Sequence, residues 1–181
     1  MTQALPPPTS IRAERLESFS DEADLHALSE AAIAAVLDGG GFGWVRPPAV
    51  AVVEQYYRGL LLVPERDVIV GRLDGTIYGA AVLIKPSRNN EAQAHAAALV
   101  QHFVAPYARG YGLARAILLR TEERARAQGF AVLNLDVRDT QKGAISLYES
   151  QGFIRWGTHP DYARTKGAPI PGHFYYKLLK P

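Results

Sequence analysis

Hydrophobic residues recur along the chain at two spacings, every second residue in some segments and every third or fourth residue in others. The first spacing is that of a β-strand with one buried face, and the second is that of an amphipathic helix. The predicted strands cover residues 11–17, 68–73, 76–84, 94–104, 131–137, 153–157 and 173–179. The predicted helices cover residues 21–37, 47–58, 110–128 and 140–150. Their order, β-α-α-β-β-β-α-β-α-β-β, predicts an α/β fold with a mixed, mostly antiparallel central sheet flanked by helices.

Turn-forming residues separate these elements. Ser20 is the predicted N-cap of the first helix, because its side chain can accept a hydrogen bond from the first turn. Asp74-Gly75 predicts a tight hairpin, since both central positions of that turn need positive φ. A Pro/Gly-rich loop is expected between the last two strands. Residues 1–10 are expected to form an extended lead-in to a single domain that spans residues 1–181.

Composition narrows the possible functions. The 181 residues include no cysteine, which excludes disulfides, thiolate metal sites and a covalent intermediate on a cysteine. The five histidines show no metal-ligand spacing, so no metal is expected. With 20 basic and 18 acidic residues, the chain is too balanced for a nucleic-acid-binding protein. No apolar run in the sequence is long enough to cross a membrane, and a cytoplasmic protein is expected.

The segment with the clearest chemistry joins the strand 94–104 to the helix 110–128. It reads Val104-Ala-Pro-Tyr-Ala-Arg-Gly-Tyr-Gly-Leu-Ala114. Glycines let a backbone approach a ligand closely, and the first N–H groups of a helix lack intrahelical partners and carry partial positive charge. The segment therefore predicts an anion site suited to phosphate, with Arg109 and Arg115 adding positive charge. It lacks the third glycine of a dinucleotide fingerprint and the Gly-Lys-Ser/Thr of a P-loop.

Two motifs in the same order resemble those of the GNAT superfamily of N-acetyltransferases. Val-x-Pro-x-x-Arg-x-x-Gly-x-Ala over residues 104–114 resembles the acetyl-coenzyme A signature of that family. Leu135-x-Val137, followed by residues 144–153, resembles its downstream strand and helix. The resemblance spans roughly residues 66–157. It implies transfer of acetyl from acetyl-CoA to the primary amine of a small molecule, by direct attack in a ternary complex.

A narrower resemblance involves the segments outside these motifs. The loop 38–47 and the tail 157–179 look like those of the tabtoxin-resistance acetyltransferases, which acetylate a small amino-acid-like antibiotic.

The family resemblance implies roles for individual residues at the coenzyme. Backbone N–H groups at the start of the helix hold the pyrophosphate, and an N–H within residues 103–105 polarises the thioester carbonyl. Tyr148 matches the family tyrosine near the sulfur, where a phenol can donate a proton to the departing thiolate. Gln141 stands where the family often has asparagine. The residues expected at the coenzyme are Phe103, Val104, Ala105, Arg109, Gly110, Tyr111, Gly112, Leu113, Ala114, Arg115, Gln141 and Tyr148.

The general base and the acceptor site stay open at the level of sequence. Ala98 and Val100 occupy the positions where many family members carry a titratable strand residue, and neither can titrate. Asp136 is the first candidate for the base, and His102 the second, because period-2 alternation puts His102 on the face of Ala98 and Val100. The residues expected at the acceptor are Phe42, Trp44, Tyr162 and His173.

Two other functions fit the same residues. One is acetylation of protein lysines or N-terminal amines, and the other is a non-catalytic acyl-CoA-binding module. A homodimer formed through exposed sheet edges is a further expectation.

Overall fold

The computed structural model describes residues 6–40, 43–165 and 167–179, in which one sheet is covered by helices on both faces. The strands are β1 (Ile11–Leu16), β2 (Arg66–Leu73), β3 (Thr76–Ile84), β4 (Ala96–Val104), β5 (Val132–Arg138), β6 (Ile154–Thr165) and β7 (Ala168–Leu178). The helices are α1 (Glu22–Leu37), α2 (Val50–Leu61), α3 (Leu113–Ala127) and α4 (Lys142–Ser150). Within these ranges no helix combines the length and apolar character that crossing a membrane requires.

The sheet is mixed and mostly antiparallel, as predicted. Its strand order is β1-β2-β3-β4-β5-β7-β6, and β4 and β5 form its parallel pair. The order of the predicted elements along the chain is also confirmed. The edge strands are β1 and β6, where a dimer contact stays a prediction.

The last two strands are longer than the sequence predicts. A Pro/Gly-rich loop is predicted between them, but β6 extends to Thr165 and β7 begins at Ala168, and the two strands pair up to these residues. Pro169 fits within β7 because residues 168–170 pair with β6 alone, and Pro171 fits because it lies where the pairing with β6 changes register. A proline lacks an N–H, which is tolerated where the strand has no partner on one side.

Two helix starts also differ from the prediction. Asp21, not Ser20, caps α1, because its carboxylate accepts from the Asp24 N–H at 2.9 Å. Helix α3 begins at Leu113 rather than residue 110, since Gly110 and Gly112 have φ of 90° and 81°. Both glycines therefore belong to the turn that precedes the helix.

Helices α1 and α2 cover one face of the sheet and α3 covers the other. Neighbouring residues of β2 show this division, because their side chains face opposite sides of the sheet. A Cβ added to Gly71 would lie 2.6 Å from the side chain of Ile117 in α3. Its neighbour Arg72 instead donates to Asp24 of α1 at 2.7 Å. Buried side chains fill both layers between helices and sheet.

The parallel strands β4 and β5 diverge at one end. Their pairing runs from Ala96↔Val132 to Leu99↔Leu135 and then stops, while β4 continues to Val104 and β5 to Arg138. This divergence opens a gap in the sheet.

A β-bulge lies in β4 beside this gap. The pairing with β3 shifts by one residue, so that Gln101 and His102 both lie opposite Ala81, and Gln101 has a φ of 53°. The extra residue inverts the alternation of side chains beyond it. Phe103, rather than His102, therefore continues the face of Val100. The predicted orientation of His102 is wrong for this reason.

The close approach of β3 to β4 gives a test of this packing. A Cβ added to Gly79 would lie 2.5 Å from the carbonyl oxygen of Phe103, a backbone atom that cannot rotate away. We expect Gly79→Ala to lower the free energy of unfolding by about 1–3 kcal/mol, measured by urea denaturation.

Gly59→Ala is the matched control. Gly59 lies in α2, and an added Cβ there would have no heavy atom within 4 Å. Alanine at this position should stabilise the protein by about 0.5–1 kcal/mol, because it is the better helix former. Equal effects of the two substitutions would contradict the tight contact at Gly79.

Candidate functional site

A cleft of about 990 Å³ opens where β4 and β5 diverge. Residues 99–104 of β4 and 136–138 of β5 form its two sides, and the first turns of α4 line it further along. Tyr162 of β6 and the segment that follows α1 complete its walls. The cleft therefore brings together five elements that are distant in the sequence.

The turn before α3 presents backbone N–H groups at one end of this cleft. Gly110 and Gly112 both take the left-handed conformation that glycine favours, and Gly112 is the N-cap. The Ala116 N–H bonds the Gly112 carbonyl, so the N–H groups of residues 113–115 precede the intrahelical ladder. With the positive end of the helix dipole, this arrangement suits an anion such as a phosphate.

The two predicted arginines differ in their surroundings. Arg109 donates through Nη1 to the carboxylate of Asp38 at 2.6 Å and through Nε to the Val104 carbonyl at 3.3 Å. It therefore ties the end of α1 to the end of β4 at the cleft. Arg115 is exposed on the first turn of α3, with no ion pair to any residue that the structure describes.

The ladder between β3 and β4 determines which backbone N–H faces the gap. The Ala105 N–H donates to the Tyr78 carbonyl at 2.8 Å, so the prediction that it could serve a ligand is corrected. In an antiparallel ladder only alternate residues direct their N–H toward the partner strand. The N–H of Phe103 therefore points toward β3, like that of Ala105. The N–H of Val104 points away from β3, toward the cleft.

His102 and Tyr148 form a hydrogen-bonded pair in the cleft wall. His102 Nε2 lies 3.0 Å from the Ala114 carbonyl oxygen, and its Nδ1 lies 3.0 Å from the Tyr148 hydroxyl. Because a carbonyl can only accept, Nε2 carries the proton and Nδ1 accepts from the tyrosine. Both ring nitrogens are therefore engaged.

Burial shifts both pKa values of this pair. It lowers the pKa of His102 to about 4 and raises the pKa of Tyr148 well above its usual value, an effect to which the charge of Asp136 adds. His102 and Tyr148 are consequently both uncharged at neutral pH.

Asp136 and Tyr162 meet at the β5 side of the cleft. The Tyr162 hydroxyl donates to Asp136 Oδ2, and Gly172 leaves room for the tyrosine ring, which a Cβ there would strike. Burial raises the pKa of Tyr162, the Asp136 carboxylate adds to this rise, and the positive charge of Arg138 opposes it. The Tyr162 hydroxyl thus lies within the electrostatic influence of both charged side chains.

Two other predicted acceptor residues, Trp44 and His173, do not line the cleft. His173 lies on the α4 side of β7, where its ring nitrogens contact Asp139 at 2.8 Å and the Thr158 hydroxyl at 2.9 Å. Trp44 packs edge to face against Tyr56. The structure therefore does not support acceptor contacts by His173 or Trp44. Phe42 lies outside the described residues.

Three further contacts shape the cleft near the α1 end. Gln141, the N-cap of α4, donates to the Gly39 carbonyl at 3.1 Å. Arg138 approaches the same oxygen at 3.5 Å. Gln101 of the bulge donates to the Tyr56 hydroxyl.

Two of these cleft residues were not predicted from the sequence. Arg138 follows Asp136 by two residues, so the alternation of β5 could have identified it. Gln101 had no comparable signal, because the sequence does not indicate the bulge.

Comparisons with known proteins agree with this geometry. The sequence model of the acetyltransferase (GNAT) family matches residues 30–153. An uncharacterised N-acetyltransferase in the hisH–hisA intergenic region of Azospirillum brasilense is 58% identical over 134 residues, which make up 74% of this chain and 79% of that protein.

Two solved structures are similar over most of their length. The structure of yncA from Salmonella typhimurium, determined with acetyl-CoA, matches with a TM-score of 0.75 and 23% identity, covering 94% of both chains. A ribosomal-protein-alanine N-acetyltransferase from Brucella melitensis matches with a TM-score of 0.76 and 26% identity, covering 92% of this chain and 99% of that one.

These matches confirm the family resemblance and the predicted fold class. The matched residues include β4, α3, β5 and α4, the elements that form the cleft. The narrower resemblance to tabtoxin-resistance acetyltransferases stays a prediction, since none of the relatives described above carries that name. From its sequence and its fold, the chain belongs to the GNAT family of acetyltransferases.

Proposed function

We propose that the protein is an acetyl-CoA-dependent N-acetyltransferase that modifies the primary amine of a small molecule by direct attack in a ternary complex. The observation that carries this proposal is the meeting of three groups in one cleft: the first turn of α3, the Val104 N–H and the Asp136 carboxylate. They correspond to an anion site, a donor for developing negative charge and a general base.

The residues around α3 fit the coenzyme. The N–H groups of residues 113–115 and the turn of Gly110 and Gly112 would hold the pyrophosphate. Arg115 would add positive charge, while Arg109 would divide its donors between Asp38 and a phosphate. Gln141 and Tyr148 line the continuing cleft and would contact the rest of the coenzyme. When bound, acetyl-CoA supplies an acetyl group that is activated as a thioester.

Val104 and Asp136 would each carry out one part of the reaction with the acceptor amine. The Val104 N–H would stabilise negative charge as it develops on the carbonyl oxygen, and Arg109 holds the Val104 carbonyl in place. Asp136 would take the proton that the acceptor amine loses. His102 is a poorer base, because both of its ring nitrogens are already hydrogen-bonded.

Tyr148 would donate its proton to the departing sulfur. Its raised pKa keeps the hydroxyl protonated across the neutral range, so the donor is always present. His102 Nδ1 accepts this hydroxyl in the structure and would keep it in position until a thiolate competes for the proton.

One relative favours a second candidate function, the acetylation of protein N-terminal amines. The Brucella melitensis protein is named for an activity on ribosomal-protein alanine. A panel of peptides with free N-terminal amines or lysines, assayed beside small amines, separates this function from the proposed one.

Binding of acetyl-CoA tests the proposed pyrophosphate site. Valine at position 112 cannot comfortably keep the φ of 81°, so Gly112→Val should disturb the turn that presents the α3 N–H groups. We expect calorimetric titration to show affinity for acetyl-CoA reduced at least ~10-fold, which corresponds to about 1.4 kcal/mol.

Gly75→Val is the control for this substitution. Gly75 has a comparable φ of 88° in the β2–β3 turn, outside the cleft. The Gly75→Val variant should lose stability to a similar degree and keep its affinity for acetyl-CoA. Unchanged affinity in Gly112→Val would refute the location of the pyrophosphate.

Proton donation by Tyr148 gives a separate prediction. Tyr148→Phe should lower kcat by about 100-fold or more, because it removes the general acid, with little change in acetyl-CoA affinity. Thiol release with an amine acceptor and calorimetry measure these two quantities.

Tyr78→Phe is the matched control, since Tyr78 contacts Tyr107 and does not line the cleft. An equal loss of turnover in both variants, or a parallel loss of turnover and affinity in Tyr148→Phe, would contradict the acid role.

The charge state of His102 predicts sensitivity to acid. Its pKa is about 4 in the folded protein, whereas the unfolded chain has the ordinary value near 6.5. The unfolded state therefore binds more protons between these values, and stability is lost as the pH falls from about 6.5 toward 4. We expect this residue to account for a fall of about 1–3 kcal/mol.

His102→Gln should remove this part of the pH dependence. Urea denaturation of both proteins at pH 7, 5.5 and 4.5 provides the comparison. If the two proteins lose stability in parallel as the pH falls, the pKa of His102 does not differ between the folded and unfolded states, which would contradict the lowered pKa.

A further inference from the structure

The charged side chains of the cleft differ in whether they are neutralised. Six of them line it, namely Asp38, Arg109, Asp136, Arg138, Lys142 and Arg164. Four belong to ion pairs, which are Arg109–Asp38, Lys142–Asp139 and Arg164–Asp161. Among the residues that the structure describes, Asp136 and Arg138 form no ion pair. The cleft therefore offers a ligand one uncompensated negative charge and one uncompensated positive charge.

These two charges have a fixed spacing. Asp136 and Arg138 are two residues apart on the same face of β5, so their Cα atoms are separated by roughly 6.6 Å. Both charges affect the Tyr162 hydroxyl. This hydroxyl donates to Asp136, and the positive charge of Arg138 opposes the rise of its pKa. The hydrogen bond from Arg138 to the Gly39 carbonyl is long, at 3.5 Å, and leaves other guanidinium donors for a ligand.

The positions of the two charges also set the orientation of a bound ligand. The charge of Asp136 raises the pKa of Tyr148, so the negative end lies within reach of the proposed proton donor. Arg138 instead approaches the Gly39 carbonyl in the segment after α1. An ammonium group would therefore bind at the reacting end of the pair and an anion at the other end.

A ligand that displaces water from both charges must replace the lost hydration. Leaving a charge desolvated and unpaired is costly, so a ligand with complementary charges at both ends is favoured. The planar fork of arginine matches a carboxylate, to which it can donate two parallel hydrogen bonds. A monoamine or a diamine would satisfy Asp136 and leave Arg138 unpaired.

We infer that the acceptor is a small amino carboxylic acid, with its amino group at Asp136 and its carboxylate at Arg138. This inference rests on the proposed function, because it names the substrate class of the same cleft. It disfavours diamines, and it disfavours peptide amines, whose neighbouring groups are uncharged amides.

The test compares acceptors that differ in one charge. The panel consists of α-amino acids, β-alanine and γ-aminobutyrate, each beside the carboxamide of the same length, with 1,4-diaminobutane as a further acceptor. Thiol release from acetyl-CoA gives kcat and KM. Calorimetric titration of the same compounds in the presence of coenzyme A gives binding without turnover.

We expect the best acid to exceed its amide by about 10-fold or more in kcat/KM, the size of one charge-assisted contact. Arg138→Gln should remove this preference, mainly through KM, and should weaken calorimetric binding of the acid but not of the amide. Arg164→Gln is the matched control, because Arg164 is paired with Asp161 and should leave the preference intact.

Several results would overturn the inference. These are equal use of acids and amides, preference for the diamine, equal effects of Arg138→Gln on both members of a pair, and no calorimetric binding of any acid. Titration with acetyl-CoA separates them from failure of the proposed function. A protein that binds acetyl-CoA and acetylates amines without preferring acids refutes only the substrate class, whereas one that does not bind acetyl-CoA refutes the proposed function.

Discussion

The early end of the pairing between β4 and β5 is the constraint on which the site depends. A sheet normally satisfies every backbone N–H and carbonyl of its inner strands through their neighbours. Here the pairing stops at Leu99↔Leu135, although both strands continue. The backbone of Val104 and the side chains of Asp136 and Arg138 consequently face a gap rather than a partner strand. The fold leaves this gap in the middle of its sheet, where rigid strands hold each side.

The loop after α1 is tied to this gap from three directions. Arg109 bonds Asp38, while Gln141 and Arg138 both approach the carbonyl of Gly39. These three residues come from the segment before α3, the start of α4 and the end of β5. The segment 38–40 therefore joins the coenzyme side of the proposed site to its acceptor side. A change in this loop would alter both sides together.

Local patterns predicted most of the fold. The Asp74-Gly75 hairpin, helix α3 and strand β5 each follow from residues close together in the sequence, and the structure contains all three. Their motifs also located the α3 turn and Tyr148 at one cleft. Features that depend on contacts between distant residues were harder to predict. The bulge that reorients His102 involves glutamine and histidine rather than glycine, and the orientation of His173 depends on the pairing of β7 with β5.

The contact between His102 and Ala114 has a consequence for communication within the cleft. The Ala114 carbonyl, which accepts from His102, belongs to the same peptide group as the Arg115 N–H at the open start of α3. An anion bound to that N–H would polarise the peptide and make its oxygen a stronger acceptor. The hydrogen bond between His102 and the Tyr148 hydroxyl would change in turn. A single amide would thus couple the proposed anion site to the proposed proton donor.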